Sequence, residues 1–595
     1  MREMQADIAI IGGGLGGVAA EEPASALNAV LTEEARWVGG QLTSQGVSAP
    51  DEHAYIEFFG ATRHYLALRQ SIRETYRQRE HAPEVMAESV LGPNIPLNPG
   101  NGWVSRLCFL PERAVGLLAE TRARRLIGWR PVSAESDGDQ VRAVILEDAA
   151  GERVRVNARI FLDATETGEL LPLTGTPFVT GAESRADTGE PHALEAAHPE
   201  QAQGFTYCFA VEYCPGESHV IAKPDGYEAF RDGQPYTLSP IGRDGQPVVY
   251  RMFAHSASGN LPFWSYRRLH DGTLLGGRDI ALINWISNDY HGGDLLTASP
   301  EDRARYLDEA KRLSLGFLHW LQTECPRDDG GTGYPEFKLR PDVMGTDDGL
   351  AQMPYIRESR RIVPMTRIVE SDITAEFNTG ARARHMPDSI GIGWYAMDLH
   401  PCVGSPTTSM YAPTRPFQIP LGALIPERGG NLLAACKNIG TTHLTNGAYR
   451  LHPIEWAIGE AAGTLATFCL LEGLTPAQAA ADPWQTWRLQ ARLVRRGCPI
   501  FWATDVPIGH PAFVPTQLLL ARGIITPGSP RWHQLDIGID QPLGDSIDLR
   551  RLSALAHELN ARVGAQRVAL HQITADTSWR EVCRMFERVL AEALL

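Results

Sequence analysis

The 595-residue chain contains nine cysteines, yet no two of them are spaced as CxxC. Scattered thiols in an odd number fit buried cysteines in a reducing compartment better than a disulfide framework or a zinc site. No apolar run approaches the ~18 residues that a membrane span needs, and the opening Met-Arg-Glu-Met-Gln-Ala-Asp lacks the pattern of a secretory leader. A cytoplasmic protein without a membrane span is the expectation. Basic residues are in deficit: 55 Lys plus Arg against 71 Asp plus Glu give a net charge of −16, which argues against general nucleic-acid binding. No internal repeat, low-complexity tract, nucleophilic triad or metal-ligand spacing stands out, so no metal is expected.

What is present begins at the first strand. Asp7-Ile-Ala-Ile-Ile-Gly-Gly-Gly-Leu-Gly-Gly17 is an apolar β run ending in Gly12, Gly14 and Gly17. This spacing permits a tight turn, lets the backbone approach a pyrophosphate and lets the next helix pack closely. A helix N-terminus at that point favours anions through its unpaired N–H groups and its dipole. The following strand, Ala29-Val-Leu-Thr-Glu33, ends in an acid, which turns a weak glycine signal into a dinucleotide signature.

Further motifs separate a flavin from a nicotinamide. Val38-Gly-Gly-Gln-Leu-Thr43 follows the acid-bearing strand, where a bare backbone would suit a second phosphate or ribityl contact. Phe161-Leu-Asp-Ala-Thr-Glu-Thr-Gly168 places an acid at a strand end before a turn. Asn431-Leu-Leu-Ala-Ala-Cys-Lys-Asn-Ile-Gly440 is a buried strand, and a small-residue helix starting at Pro453 follows it. Small residues on that helix permit close approach to a flat ring, although tight helix–sheet packing explains the helix alone equally well.

With NPGNGWVSRLCF (98–109), YIRESRRI (355–362) and IPLGALIP (419–426), these motifs resemble the FAD-dependent oxidoreductases known as the FAD_oxidored family. That family lies within the fumarate reductase/glutathione-reductase-like superfamily, and the resemblance runs from about Asp7 to Leu471. It implies FAD as cofactor and an α/β fold: a doubly wound, Rossmann-like FAD domain with an inserted mixed α+β substrate domain. It also implies that Gly12, Gly14 and Gly17 hold the pyrophosphate and Glu33 the adenosine ribose. Gly40, Gln41 and Thr43 would follow the phosphate–ribityl chain, and Asp163, Thr165 and Gly168 the second turn. Asn438, Gly440, Arg450 and Gly459 would fall near the ribityl chain and isoalloxazine. One departure stands out: Glu21-Glu-Pro23 follows the glycine turn where an Ala-rich helix should run, so the helix is expected to be short or offset.

The length implies about two to four domains. Segments 1–50, 98–175 and 352–480 are assigned to a discontinuous FAD-binding domain, and 51–97 with 176–351 to a substrate-facing cap. Residues 481–595 form a helical appendix, with Ser578-Trp-Arg-Glu581 as a capping box. Apolar spacing predicts helices over 55–78 and 111–125, and a hairpin at Asp148–Gly151 joins strands at 140–147 and 153–163. A strand near 204–213 and a helix over 300–323, capped by Ser299, complete the reading.

Oxidation of a C–H bond by a flavin needs a base for the partner proton, and histidine suits that task. His400 is the first choice, at the end of a strand before a Gly/Pro/Ser-rich loop; His443 and His452 follow. For any single histidine a structural role is the commoner one. Arg357, Arg360 and Arg361 form the densest cationic motif, able to clamp a carboxylate or to pair internally with Glu358. Tyr411 and Arg415 are weaker candidates, and Trp264, Tyr266, Trp285 and Tyr290 suit either an aromatic pocket or a core. The expectation is hydride transfer between a polar small-molecule substrate and the flavin. A flavin monooxygenase and a non-catalytic FAD-binding scaffold are the rivals. The electron acceptor stays open, and so does assembly into a homo-oligomer.

Overall fold

The computed structural model describes residues 1–79, 107–119, 123–242, 246–405, 410–428, 430–568 and 572–594. The Pro/Gly/Asn-rich loop at 91–102 and most of the 98–109 motif lie outside these residues.

A five-stranded parallel sheet forms the centre, with its strands in the order Leu432–Ala434, Ile160–Asp163, Ile8–Ile11, Ala29–Glu33 and Arg124–Ile127. Ile8 lies opposite Ala29 on one side and Ile160 on the other, and Leu432 lies opposite Phe161. The inner strands are buried along their whole length, as expected of parallel strands covered on both faces. The glycine turn, Glu33, the Asp163 turn and the Ala435–Gly440 segment therefore gather at one end of the sheet, beyond its carboxyl edges.

Two helices meet over this sheet. Leu15–Ala24 follows the glycine turn, and His452–Glu472 follows the last strand. Their contact is backbone on backbone. A Cβ at Gly459 would stand 1.9 Å from the Gly16 carbonyl oxygen, and one at Gly463 would stand 2.3 Å from that of Ala20. Gly16 in turn presses on the last strand, where a Cβ would lie 1.9 Å from the Ala435 oxygen. His452–Glu472 is long and apolar enough to cross a membrane, but 89% of its most apolar window is packed inside the protein.

The first helix is short, ten residues, with Pro23 in its last turn, where the missing N–H deprives the Ala19 carbonyl of its helical partner. Glu21 and Pro23 both have uses there. Buried Glu21 takes a bidentate pair from Arg125 on the edge strand, and the Pro23 carbonyl accepts from Thr467 Oγ1 at 3.0 Å.

Three boundaries differ from the periodicity reading. The expected strand 153–163 is two strands, Arg153–Asn157 in an outer antiparallel hairpin and Ile160–Asp163 in the parallel sheet. The chain changes sheet where the Arg159 and Ile160 N–H groups both donate to the Asp7 carbonyl. The helix from Pro111 stops at Leu118, and Arg124 already belongs to a strand. The helix expected from Tyr55 begins at Arg63; the apolar residues before it serve an aromatic cluster in which Phe59 packs on Trp502.

Residues between Phe205 and Ile356 build a core of their own. Phe209–Tyr213, Arg268–His270, Ile280–Ile283 and Phe337–Leu339 form an antiparallel sheet covered by the helix Pro300–Thr323, with Ser299 capping Asp302 N at 3.1 Å. Trp264 and Tyr290 belong to that core, and Trp264 stacks on Phe337 at 5.1 Å. Pro483–Arg496, Phe513–Leu520, Leu549–Val563 and Trp579–Leu594 enclose another core around Trp487, Leu552 and Phe586.

If the helix crossing sets the geometry, Gly459→Ala should lower stability by about 1–3 kcal/mol, because its Cβ has no room without parting the helices. Urea denaturation checks this, and an unchanged midpoint would show that the helices can separate freely.

Candidate active site

The described residues form a narrow cleft of about 50 Å³, open to solvent, at the carboxyl edge of the parallel sheet. Gly12, Gly14, Glu33, Gly40 and Thr165 line it together with Thr32, Glu166 and Arg303. Gly12 has φ +104°, and a Cβ there would fall 2.3 Å from the Ala164 backbone. Gly17 sits against the Gly12 carbonyl, where a Cβ would come within 2.1 Å. The turn thus exists only with glycine. Glu33 accepts from Gly13 N at 2.8 Å and Ala35 N at 2.7 Å. Burial pushes its carboxyl up to about 8, against the opposing pull of those N–H groups.

Asp163 organises the second turn from within. It accepts from Thr165 N and Oγ1 at 3.1 and 2.7 Å and from Leu170 N at 3.1 Å. Burial holds it up at about 6. Gly168 supplies the positive φ of +65° that closes this turn. Asn438 ties the last strand to it, donating to the Asp163 carbonyl at 3.0 Å while accepting from Cys436 N.

Beside the glycine turn lies a buried ionic cluster. Lys437 Nζ contacts Glu166 Oε2 and lies 3.3 Å from Glu455 Oε2. Glu455 Oε1 accepts from Gly16 N at 3.3 Å, in the first turn of the helix after the glycines. Gln41 donates to Glu455 and to the Arg450 carbonyl, while its own Oε1 is buried without a partner. Thr43 is used locally, its hydroxyl on the Val38 carbonyl at 2.6 Å.

A second polar centre joins Thr206 and Asp289 to the segment after Tyr355. His400 Nδ1 donates to Asp289 Oδ2 at 2.6 Å. Asp289 is fully enclosed and takes Arg357 Nη2 at 2.9 Å and the Thr206 hydroxyl on its other oxygen. Burial raises the Asp289 carboxyl, but the Arg357 and His400 charges outweigh it and hold it down at about 2. The remaining ring nitrogen of His400 stands 3.7 Å from Asp398 Oδ2. Alongside runs a parallel arrangement: His443 Nδ1 lies 3.0 Å from both Glu358 oxygens, and Arg361 contacts Glu358 and, at 3.0 Å, Glu183. Burial lowers the His443 pKa, yet the Glu358 charge overrides it and raises it to about 10. Cys402 Sγ lies between the two histidines, 3.3 Å from the His400 carbonyl and 3.8 Å from His443 Nε2.

These contacts revise the role expected of the arginines. Arg357 and Arg361 are consumed by internal carboxylates and are at most 1% exposed, so neither fork is open to a substrate. Arg360 spends its donors on the Thr167 and Leu296 carbonyls. His452 is a packing histidine: it accepts from Asp51 N, donates to the Val47 carbonyl, and burial pushes it down to about 4. Gly440 meets Pro364 and Gly459 meets Gly16, so both serve close packing. Arg450 bonds the Tyr355 hydroxyl at 2.9 Å and the Asp398 carbonyl at 3.1 Å, within reach of the His400 region.

Sequence reasoning missed Asp289, Glu166, Lys437 and Glu455. The last three stand inside motifs already singled out, where their charge was the available signal. Asp289, close to His291 in Asp289-Tyr-His291, reads from sequence as a turn residue.

The family described as FAD dependent oxidoreductase matches this chain over residues 7–493. No curated protein matches it. Solved structures with some likeness include L-proline dehydrogenase from P. horikoshii, at 14% identity and TM-score 0.15 over 30% of this chain and 24% of that one. The flavin-dependent monooxygenase PieE, in complex with FAD and substrate, follows at 12% and TM-score 0.23 over 53% and 47%. AlpK follows at 11% and TM-score 0.28 over 87% and 72%. The chain spans about a quarter of the first of these and about half of the second. At such scores they carry no argument.

The residues present fit an FAD. Gly12 and Gly17 pack backbone against the Ala164 main chain and the Gly12 carbonyl, which holds the turn tight, Gly14 and Gly40 line the cleft with bare backbone, and the unpartnered Gln41 Oε1 suits a hydroxylated chain.

The His443–Glu358 pair makes a checkable contribution to stability. A folded pKa near 10 against 6.5 for the free side chain means stabilisation fully present below about pH 6.5 and lost as pH rises toward 10. The difference in thermal midpoint between the native chain and His443→Gln should therefore be largest near pH 6 and shrink above pH 8. A difference that grows with pH would show the ring to be neutral in the fold.

Proposed function

The chain belongs to the FAD-dependent oxidoreductase family and FAD is its cofactor; we propose that it moves a hydride between a polar small molecule and that flavin, with His400 as acid/base. The observation that carries this reading is the His400–Asp289–Arg357 relay. When bound, FAD supplies the two-electron acceptor or donor. The chain's own residues do the rest.

Asp289 fixes the tautomer: with Nδ1–H committed to the carboxylate, Nε2 is the nitrogen that takes or returns the substrate proton. Arg357 and Thr206 keep Asp289 ionised and still, so a counter-charge already faces the ring when it becomes cationic. His443, held cationic by Glu358, offers a fixed positive charge nearby and lends no proton. At the cofactor end, Gly12, Gly14 and Gly17 would hold the pyrophosphate, Glu33 the ribose, and Gln41 the ribityl chain.

In this reading 1–50, 98–175 and 352–480 hold the cofactor, while 51–97 and 176–351 face the substrate. His400 comes from the first set and Asp289 from the second, so the acid/base centre forms at the seam between them.

The test is anaerobic. His400→Ala should retain FAD but slow substrate-dependent flavin bleaching by about 100-fold or more. Asp289→Asn should slow it by a similar factor without weakening FAD binding. Bleaching at the native rate in His400→Ala would remove the residue from the reaction. Reoxidation by air with a hydroxylated product would point to a monooxygenase instead.

A further inference from the structure

We propose that Glu166 competes with the cofactor's pyrophosphate for the glycine turn and for Lys437, and that Lys437 passes from Glu166 to the pyrophosphate when FAD binds. The proposal rests on the flavin assignment of the cleft.

The Glu166 carboxylate lies on the bare backbone of the glycine turn. A Cβ built on Gly14 would be 2.4 Å from its Oε1, and one on Gly40 would be 2.7 Å away. Those glycines are where a pyrophosphate needs access to backbone N–H groups. Glu166 Oε1 is buried against these glycines without a hydrogen-bond partner, so it covers their backbone without bonding it. Glu166 can leave: its side chain lines the open cleft and is 18% exposed, whereas its partner Lys437 is fully enclosed.

Charge supports the exchange. Glu166 faces Lys437 from the segment after the last strand, Glu455 from the helix His452–Glu472, and Glu33 from the second strand. That is one cation among three carboxyl groups. Arg303, Glu34 and Glu169 line the same cleft, so acids still outnumber bases; adding a pyrophosphate without removing a negative charge would place like charges together, a costly arrangement. Two routes relieve it. Glu166 swings into solvent and releases Lys437, or it takes up a proton, which is eased because burial already raises its pKa. Glu455 stays, anchored by Gly16 N, Gln41 and Lys437, and so keeps Lys437 beside the turn in either case.

The test is FAD binding to the full-length apoprotein, followed by quenching of flavin fluorescence between pH 5.5 and 8.5. Glu166→Gln should bind FAD about tenfold tighter than the native chain at pH 8.5, with the advantage shrinking toward pH 5.5. Glu33 titrates in the same window and the Glu166 charge raises its pKa, so the comparison is repeated on a Glu33→Gln background, where only the Glu166 substitution differs. Lys437→Gln should bind about tenfold more weakly. Apo Glu166→Gln should melt lower than the native apoprotein yet gain more on adding FAD, because Lys437 has lost a partner that the phosphate restores. If Glu166→Gln does not fold, Glu166→Asp, which withdraws the charge by one methylene, should show the same direction with a smaller ratio. A folded variant with native affinity, or a ratio that ignores pH, overturns the proposal alone. Failure of every protein to take up FAD overturns it together with the flavin assignment.

Discussion

The contact on which the architecture turns is the crossing of two helices at glycine. Gly16 and Gly459 bring main chain against main chain, and Ala20 with Gly463 continues the contact one turn on. Larger side chains would hold the axes apart by their own bulk. Close approach lets the first turns of both helices share one small volume. That is why Glu455, in the first turn of the second helix, reaches the Gly16 N–H in the first turn of the other. A chain link of more than 400 residues is thereby turned into a hydrogen bond.

Close packing of this kind leaves buried charge, and the protein meets it by pairing. Lys437 lies between Glu166 and Glu455, Arg357 faces Asp289, Arg361 faces Glu358, and Arg267 faces Asp51. Buried ion pairs are poor sources of net stability, because desolvation cancels much of their attraction. Their value here is positional: an arginine that cannot leave its carboxylate keeps that carboxylate ionised and aimed. Asp289 and Glu358 are each held near 2 in this way, and each orients a histidine.

How far the chain could be read in advance follows the range of the physics involved. The glycine turn is legible because Gly12 and Gly17 meet constraints set within a few residues and by the strand beside them. The cap at Ser299 and the capping box at Ser578 are local for the same reason. The segment from Tyr55 misled because its apolar spacing serves an aromatic cluster with Trp502, contributed by the far end of the chain. The strand over 153–163 misled because the chain changes sheet without a Gly or Pro to mark it. In Arg357-Glu-Ser-Arg-Arg361 the cationic density was visible, but not its use. Whether an arginine meets a substrate or an aspartate depends on Asp289, which the motif does not contain.

The two histidines show how burial divides roles between groups with the same partners. Each has a carboxylate on Nδ1, and each carboxylate has an arginine behind it. The His443 side chain is only 10% exposed, its Nδ1 stands against both Glu358 oxygens, and its proton stays until about pH 10. A group so held cannot give up a proton at neutral pH and acts as a fixed charge. The His400 side chain is 26% exposed, and its Nε2 has no partner within normal hydrogen-bond reach among the described residues. A proton that must pass between substrate and solvent needs an atom that meets both. In the proposed reaction His400 is the ring that carries it, and the carboxylate behind Nδ1 leaves Nε2 as the atom to do so.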